Sequence, residues 1–364
     1  MTNIESRVLD FIGQPGGEAE LNDLALAVFA YQYEHVPVYR RFCERRGAAP
    51  GTVARWEEVP ALPADAFKHN LDAADRRHVF LSSGTTAGPE RRSRHAAESL
   101  VTYEASALAH FRAMVLADEP GPLATLVLGP TAASHANSSL GRMFSWCVDL
   151  CSNGDSLVAF DADGRADIAA AVAWLSEKSR ESAPVLILAV TSALTAVFEA
   201  LRDRHGPCRL PADSRIVDTG GRKGTAHSLS PNGVLKAAWR WLHVPAYLCV
   251  NEYGMTEMFS QFYDDALESR ASGRLSPRAK VGPPWVRTRI VDPATLEPVA
   301  PGTVGLLRHF DLANWESVSA LQTLDLAREV GIGFELRGRA AGAEARGCSA
   351  LVTEILDAAA DGRA

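Results

Sequence analysis

The sequence predicts an α/β protein in which helices cover a mostly parallel sheet, followed by a small β subdomain. Short apolar runs alternate with helix-period segments through the middle of the chain, and a run such as Val185–Val190 has no polar interruption. Continuous apolar strands between helices are typical of parallel sheets that are buried on both faces. Near Lys280 the pattern changes to short β runs separated by Pro/Gly turns, which predicts the smaller subdomain.

The predicted elements follow in order along the chain. A short strand at 79–81 precedes a long helix that begins near residue 96 and ends near 116. Strands are then predicted at 123–128, 157–160, 185–190, 216–217 and 246–250, and helices at 168–178, 193–204 and 232–242. Ligands of parallel sheets collect at the carboxyl ends of strands, and we expect segments 82–89, 218–221 and 253–254 to lie at such ends.

The composition is that of a soluble globular protein. The 364 residues are 47% hydrophobic and 22% charged, and the formal net charge of −7 gives no sign of a nucleic-acid partner. No apolar run approaches the roughly 18–20 residues of a membrane span, and residues 1–6 do not resemble a signal peptide. Six scattered cysteines without a Cys-x-x-Cys pair favour neither zinc nor disulfides. We therefore expect a cytoplasmic location and no membrane span.

A hydroxyl-rich segment follows the first short strand. It contains Ser82, Ser83, Gly84, Thr85, Thr86 and Gly88. Hydroxyl groups donate hydrogen bonds to phosphate, and glycines let backbone N–H groups turn toward it. The segment lacks the Gly-Lys-Ser/Thr of a Walker loop. A phosphate-binding loop and a solvated turn are both compatible with these residues alone.

A second motif, Asn251-Glu252-Tyr253-Gly254-Met255-Thr256-Glu257, follows the apolar run at 246–250. Together the two motifs, in this order, resemble the adenylate-forming superfamily, which includes acyl-CoA synthetases, peptide-synthetase adenylation domains and luciferases. The resemblance extends over about residues 67–339 and implies ATP as substrate and Mg²⁺ as cofactor. It also implies the superfamily fold, a large α/β domain with a small β subdomain.

The resemblance implies which residues bind the phosphates of ATP and the metal ion. It places the β- and γ-phosphates of ATP on the hydroxyl-rich segment, the α-phosphate on the hydroxyl of Thr256, and Mg²⁺ on the carboxylate of Glu257. A single carboxylate suffices because Mg²⁺ takes its remaining ligands from substrate oxygens and water. Glu90 departs from the family, since many members have lysine there, and Arg91 and Arg92 follow it.

The nucleoside contacts come from three further segments. Tyr253, followed by Gly254, matches the residue whose ring lies against adenine, and Gly220 and Gly221 match the turn along the other face. Asp325 and Arg339 match the ribose contacts, although Leu324-Asp325-Leu326 departs from the usual Thr-Gly-Asp. The alternative reading of Tyr253 is a tyrosine that caps the end of a strand.

Three residues are candidates for contacts near the reacting groups. His135, after the strand at 123–128, matches a position beside the acyl pocket and could orient the carboxylate, or it could be structural. Arg222 and Lys223 are candidates for the cationic role that a lid lysine fills in the superfamily, or they are solvated surface charges. The lid domain itself is expected to be absent, because only a short tail follows Arg339.

The short tail contains Arg346-Gly347-Cys348-Ser349 and resembles the acyl-protein synthetases of bacterial bioluminescence operons. That family activates a fatty acid with ATP, transfers the acyl group to a cysteine near its own C-terminus, and passes it to a reductase. We predict a helix at 349–359 with Ser349 near its N-cap. A thiol at a helix N-terminus beside Arg346 ionises more readily than usual, and the thiolate is the nucleophile. The alternative is a small buried cysteine; the other five cysteines are expected in the core.

The resulting domain prediction has three parts: residues 1–280, 281–338 and 339–364. The predicted ligase uses a carboxylic acid and an acyl-accepting protein, either a reductase or a carrier protein, and forms a homo- or hetero-oligomer. Two alternatives stay open. The enzyme could deliver the acyl group directly to a carrier protein, CoA or an amine, or the chain could be a non-catalytic subunit of a complex.

Overall fold

The uninterrupted apolar runs form fully buried strands, as their patterning requires. In the computed structural model all six residues of Leu123–Leu128 are buried, as are the first five of Val185–Val190. The structure describes residues 3–69, 76–82, 92–220, 228–273, 278–340 and 346–360, the last range with backbone only at 346–349 and 358–360. All statements below refer to these residues.

The described helices and strands are numbered in chain order. The α-helices are α1 (Asn3–Gly13), α2 (Glu18–His35), α3 (Pro37–Arg45), α4 (Val101–Val115), α5 (Ser139–Cys151), α6 (Ile168–Lys178), α7 (Thr191–Ala200), α8 (Pro231–Ala237), α9 (Ala266–Ala271) and α10 (Arg346–Ala360). The strands are β1 (Leu62–Pro63), β2 (His78–Leu81), β3 (Arg94–Ala97), β4 (Leu123–Leu128), β5 (Ser152–Val158), β6 (Val185–Val190), β7 (Arg215–Thr219), β8 (Cys249–Tyr253), β9 (Phe262–Asp264), β10 (Lys280–Val281), β11 (Val286–Val291), β12 (Gly305–Asp311), β13 (Ala320–Val330) and β14 (Gly333–Arg339).

The chain forms two compact units. The first contains residues 1–109, 254–261 and 279–364, and the second contains residues 110–253 and 262–278. The three-part division predicted from the sequence stays a prediction. None of the described helices is both long and apolar enough to cross a membrane.

The second unit contains the parallel sheet that the sequence predicts. Its strands lie in the order β8-β7-β6-β4-β5, all parallel, and β9 pairs antiparallel with β8. Buried side chains from β4, β6 and β7 pack with those from α6, α7 and α8 in one hydrophobic core. Since the strands are parallel, their carboxyl ends meet at one edge of this sheet.

The first unit is built on antiparallel pairing. Strands β11, β12, β13 and β14 form a meander, β10 pairs with β14, and β1 pairs in parallel with β13. The hairpin β2–β3 belongs to the same unit. The predicted β unit at 287–307 is confirmed by the antiparallel pairing of β11 with β12.

Several predictions of boundaries and of placement are wrong. The long helix starts at Val101 because Ala96 and Ala97 pair with β2. The strand predicted at 157–160 is β5, which begins at Ser152 and ends at Val158. Ala246–Leu248 is a 3₁₀ turn before β8. The hydroxyl-rich segment follows a strand of an antiparallel hairpin, whereas the sequence predicts the end of a parallel strand.

The C-terminal helix α10 starts at Arg346, three residues earlier than predicted, so that Ser349 lies inside it and is not its N-cap. The buried side chains of Leu351 and Ile355 face the body of the first unit. The Glu354 carboxylate forms a 3.0 Å ion pair with Arg46, and the Glu354 carbonyl oxygen accepts a hydrogen bond from Arg45 of α3. The tail is therefore a docked helix within its unit.

Candidate active site

The predicted site residues fall in both units, and several lie outside the described residues. These are Ser83, Gly84, Thr85, Thr86, Gly88, Gly221, Arg222 and Lys223. Cys348 lies in the first turn of α10, with only its backbone described. The remaining predicted residues are described below within their own units.

In the first unit, the hairpin β2–β3 holds the segment that carries Thr256. Nδ1 of His95, on β3, lies 2.9 Å from the carbonyl oxygen of Thr256. His95 is 1% exposed, and burial lowers its pKa to about 4. The ring is therefore neutral at physiological pH, and because a carbonyl only accepts, Nδ1 carries the proton.

The same hairpin carries the start of the hydroxyl-rich segment. Ser82 extends the pairing beyond β2, since its N–H donates to the Ser93 carbonyl (3.0 Å) and its Oγ accepts from the Ser93 N–H (2.9 Å). The first motif thus begins two residues along the partner strand from His95, and both belong to the unit that contains Thr256. A hydrogen bond and ring contacts with Phe259 therefore link the hairpin that carries the first motif to the segment that carries the second.

Asn314 fixes the next residue of the segment. Its Nδ2 donates to the carbonyl oxygen of Glu257 at 2.6 Å and to that of Val318 at 3.2 Å. Asn314 is fully buried. A buried amide with two backbone acceptors holds the chain in one position, because breaking either bond would leave a buried polar group unsatisfied.

Asp311 fixes the end of the segment. One carboxylate oxygen accepts from the N–H groups of Phe259 (3.2 Å) and Ser260 (3.0 Å), and the other accepts from Ser260 Oγ (2.8 Å) and the Ala313 N–H (2.9 Å). The side chain is fully buried, and burial raises its pKa to about 6. Four hydrogen bonds to one carboxylate restrain the segment strongly.

His95, Asn314 and Asp311 together restrain residues 256–260, and we call these three residues the backbone clamp. Phe259 adds apolar packing, with its ring stacked 4.7 Å from that of Tyr103 and 4.6 Å from His95. Thr256 stays partly exposed and Glu257 is 8% exposed. At Thr256 and Glu257 the clamp contacts only the backbone carbonyl groups.

The predicted ribose residues are cross-strand neighbours. Asp325 of β13 is in register with Arg339 of β14, and their side chains approach to 3.7 Å. Arg339 also lies 3.7 Å from Asp65, which Lys68 contacts at 2.7 Å. The sequence predicts each residue separately, and the structure brings them together at the end of the meander.

In the second unit, the predicted adenine residues lie at the carboxyl ends of β7 and β8. Gly220 follows β7 with φ +98°, a backbone conformation that favours glycine. The Thr191 hydroxyl lies 2.7 Å from Asp218 Oδ2 and 3.1 Å from the Gly220 carbonyl. Asn251 Nδ2 donates to the same Asp218 carboxylate at 3.0 Å. This network holds the glycine turn in place.

Tyr253 and His135 belong to the same unit. Tyr253 ends β8, and its ring lies 5.7 Å from that of Phe262 on β9. His135, half-buried after β4, contacts Ser134 Oγ at 2.9 Å through Nδ1, and its ring lies 5.9 Å from Phe160. The sheet edge therefore carries a glycine turn, an aromatic ring and a titratable ring.

No group of three His, Cys, Asp or Glu side chains within the described ranges has the arrangement of a metal site. One carboxylate, that of Glu257, fits Mg²⁺, which takes most of its ligands from substrate phosphate and water. The five described cysteines are buried, as predicted. Burial raises the pKa of Cys43 and Cys249 to about 12 and that of Cys151 to about 11, and raises that of Cys147 well above its usual value.

The sequence prediction misses the backbone clamp. Asp311 is the last residue of the largely buried strand β12 and Asn314 follows it by three residues, and two polar residues at the end of a buried strand are the signal that could have indicated them. His95 gives no such signal, because a lone histidine on a short strand has many possible roles.

One family model and several solved structures match this chain. A family model described as acyl-protein synthetase, LuxE, matches residues 17–357. No curated protein matches the chain. Among solved structures, 2-hydroxyisobutyryl-CoA ligase with 2-HIB-AMP and CoA in the thioesterification state is similar with a TM-score of 0.61 and 17% identity, covering 89% of this chain and 69% of that one.

Two further solved structures are similar to this chain. An open conformation of the same CoA ligase has a TM-score of 0.59 at 17% identity, covering 88% of this chain and 70% of that chain. The ATP-bound RpMatB-BxBclM chimera B1 has a TM-score of 0.51 at 15% identity, covering 81% and 51%. At these identities the likeness establishes a shared fold.

Proposed function

This chain belongs to the LuxE acyl-protein synthetase family and is a ligase, and we propose that it activates a carboxylic acid with ATP, transfers the acyl group to Cys348 and hands it to a partner protein. In the first step a carboxylate oxygen attacks the α-phosphorus of ATP. The new O–P bond gives an acyl adenylate, and the bond to the leaving pyrophosphate breaks.

The observation that carries the adenylation step is the backbone clamp on residues 256–260. Charge spreads over phosphate oxygens in this transition state, so that catalysis depends on groups held in position beforehand. The Thr256 hydroxyl would donate to the α-phosphate, and Glu257 would hold Mg²⁺, which neutralises phosphate charge when bound. A clamp on the backbone of these residues supports roles that require fixed geometry.

The remaining assignments follow the family motif and local chemistry. The hydroxyl-rich segment from Ser82 would bind the β- and γ-phosphates, and Tyr253 with the Gly220 turn would contact adenine. Asp325 would accept from the ribose hydroxyls, with Arg339 beside it at 3.7 Å. His135 would orient the substrate carboxylate through its ring.

The acyl transfer step assigns Cys348 as nucleophile. Its thiolate would attack the carbonyl carbon of the acyl adenylate, a C–S bond would form, AMP would leave, and the thiol proton would pass to solvent. Two observations support it: the position of Cys348 in the first turn of α10, and the high thiol pKa of four buried cysteines, which keeps them protonated.

A second candidate is direct transfer of the acyl group to CoA, without an acyl-cysteine. It is favoured by one relative of the same fold, whose structure contains both an acyl adenylate and CoA. In that case the thiolate of CoA replaces Cys348 as the attacking group.

Two assays separate these proposals. Acid-dependent ATP–pyrophosphate exchange tests adenylation, and its complete absence over a panel of acids would favour a non-catalytic subunit. Incubation with ATP and labelled acid, followed by denaturing electrophoresis, tests the cysteine. We expect Cys348→Ala to lose the label and keep exchange, and Cys208→Ala to keep both. Equal labelling of Cys348→Ala and wild type would eliminate the acyl-cysteine.

A further inference from the structure

The second unit presents an exposed helical face that the proposed chemistry does not use. Helix α8 continues as a π-helical turn, Ala238–Leu242. Four polar or aromatic residues in and directly after these two segments have i, i+3, i+4 and i+7 spacing: Lys236, Trp239, Arg240 and His243. All four side chains are exposed, and Trp239 has 54% of its surface open to solvent. Exposed tryptophan flanked by cations is typical of the energetic centre of a protein interface.

Ring contacts hold several of these side chains in place. The ring of Trp239 lies 4.4 Å from that of His243 in an edge-to-face arrangement. The Arg240 guanidinium lies 4.9 Å over the ring of Trp241. Such contacts restrict side-chain rotamers before binding, which lowers the entropy cost of forming an interface.

A neighbouring segment extends the positive charge. The N–H groups of Cys208 and Leu210 donate to the carbonyls of Trp241 (2.8 Å) and Leu242 (3.0 Å), so that residues 208–210 border the π-helical turn. Arg209 lies within this segment and Arg204 precedes it, and both side chains are exposed. We call Arg204, Arg209, Lys236, Trp239, Arg240 and His243 the Trp239 face.

The Trp239 face contains four cations and no carboxylate of its own. Arg202 is paired with Asp203 at 2.6 Å, but Arg204, Arg209, Lys236 and Arg240 form no ion pair with any residue that the structure describes. These four cations lie on two adjoining segments, one of which carries the exposed Trp239, in a chain whose formal net charge is −7. A local positive charge on a negatively charged chain favours the approach of an acidic partner to this face.

We propose that the Trp239 face docks an acidic acyl carrier protein, which receives the acyl group. The inference rests on the proposed function, because a carrier is needed only if an activated acyl group is made. The phosphopantetheine thiolate of the carrier attacks the thioester of Cys348, a C–S bond forms on the carrier, the bond to Cys348 breaks, and the carrier's proton passes to the released thiolate. Nucleic acid is disfavoured as occupant by the net negative charge.

The test uses full-length enzyme and purified holo-acyl carrier protein. Binding is measured by calorimetry at low and high salt, and acyl transfer with labelled acid is measured in parallel. We expect Lys236→Glu/Arg240→Glu and Trp239→Ala each to weaken binding at least about tenfold, with the wild-type affinity falling as salt rises. ATP–pyrophosphate exchange is expected to stay unchanged in both variants.

Matched controls lie in the first unit. Arg7→Glu/Arg77→Glu makes the same double charge reversal on exposed residues, and Ile332→Ala truncates an apolar side chain that is 64% exposed. Both are expected to bind like wild type. Equal carrier affinity in wild type and both face variants, or no binding by wild type, overturns the proposal. A change of oligomeric state in the face variants, with carrier binding intact, assigns the face to a second copy and overturns it too.

These outcomes are separable from failure of the proposed function. Carrier binding needs neither ATP nor acid, so it is measurable in an enzyme that shows no exchange. Exchange without carrier binding refutes the docking proposal alone, and binding without exchange refutes the adenylation proposal alone.

Discussion

Nδ1 of His95 donates a 2.9 Å hydrogen bond to the carbonyl oxygen of Thr256, across 161 positions of sequence. His95 belongs to the hairpin that carries the first predicted motif, and Thr256 belongs to the second. One buried, neutral imidazole therefore joins the two parts of the sequence on which the functional interpretation depends. We therefore expect removal of the His95 ring to slow adenylation, although His95 is not among the predicted phosphate-binding residues.

We expect His95→Ala to lower the rate of ATP–pyrophosphate exchange about tenfold or more, because Thr256 loses its backbone restraint, and to cost roughly 2–4 kcal/mol of unfolding free energy. His95→Asn places an amide N–H near the position of Nδ1 and should restore much of the exchange. Kinetics and urea unfolding of both variants check this. If Asn gives no more activity than Ala at equal stability, the hydrogen bond does not position Thr256.

Asp311→Asn should change the pH dependence of stability. The folded-state pKa of about 6 lies above the unfolded value of 3.8, so the folded protein binds the extra proton more tightly between these values. Stability from protonated Asp311 is full below about pH 3.8 and is lost as the pH rises through about 6. Wild type should therefore lose on the order of 3 kcal/mol relative to Asp311→Asn across this window.

Urea unfolding of wild type and Asp311→Asn at pH 4, 5, 6 and 7.5 measures that difference. Asp23→Asn, an exposed carboxylate outside the clamp, is the control and should show no such trend. A wild-type advantage that grows with pH would mean that the four hydrogen bonds outweigh desolvation and that Asp311 ionises easily.

Glu257→Gln should weaken magnesium dependence. Removing the charge from a single carboxylate ligand is expected to raise the Mg²⁺ concentration for half-maximal exchange about tenfold or more, with partial recovery at high Mg²⁺. The amide keeps the shape of the side chain. Titration of exchange with Mg²⁺ provides the measurement, and Glu104→Gln, an exposed change on α4, is the control. An unchanged Mg²⁺ curve would remove Glu257 from the metal site.

Arg339→Gln and Asp325→Asn should both raise the KM for ATP, by about three- to tenfold, with smaller effects on kcat, since ribose contacts are made in the ground state as well as the transition state. Because the two side chains lie 3.7 Å apart, the double variant should fall short of the product of the single effects. Steady-state kinetics of the three variants decide. A loss of kcat alone, at constant KM, contradicts a ribose role.

The parallel sheet was predictable because its signal is local and strong. β4 and β6 match the predicted strands residue for residue, and α6 matches its helix, since each is a continuous apolar or helix-period run. Predicted boundaries were wrong where pairing with a distant segment determines the secondary structure. Ala96 and Ala97 have high helix propensity but pair with β2. Local propensity does not include such partners.

The motifs identified Thr256, Glu257, Tyr253 and Gly220 but not what holds them. Asp311 and Asn314 act on backbone atoms more than 50 positions earlier in the chain, and no local pattern encodes that relation. Side chains that bind substrate leave a recognisable motif, whereas side chains that bind backbone need only a polar group at the right distance. The clamp therefore had to be found in the structure.

The docking of α10 on α3 has a practical consequence for the study of Cys348. Leu351 and Ile355 are buried in the first unit, and Arg46 holds Glu354. Shortening the chain before residue 346 would remove the cysteine and also uncover an apolar strip of the N-terminal helices, so that lost activity would report on misfolding as much as on chemistry. Single-atom exchange of sulfur for oxygen, in Cys348→Ser, leaves that strip covered.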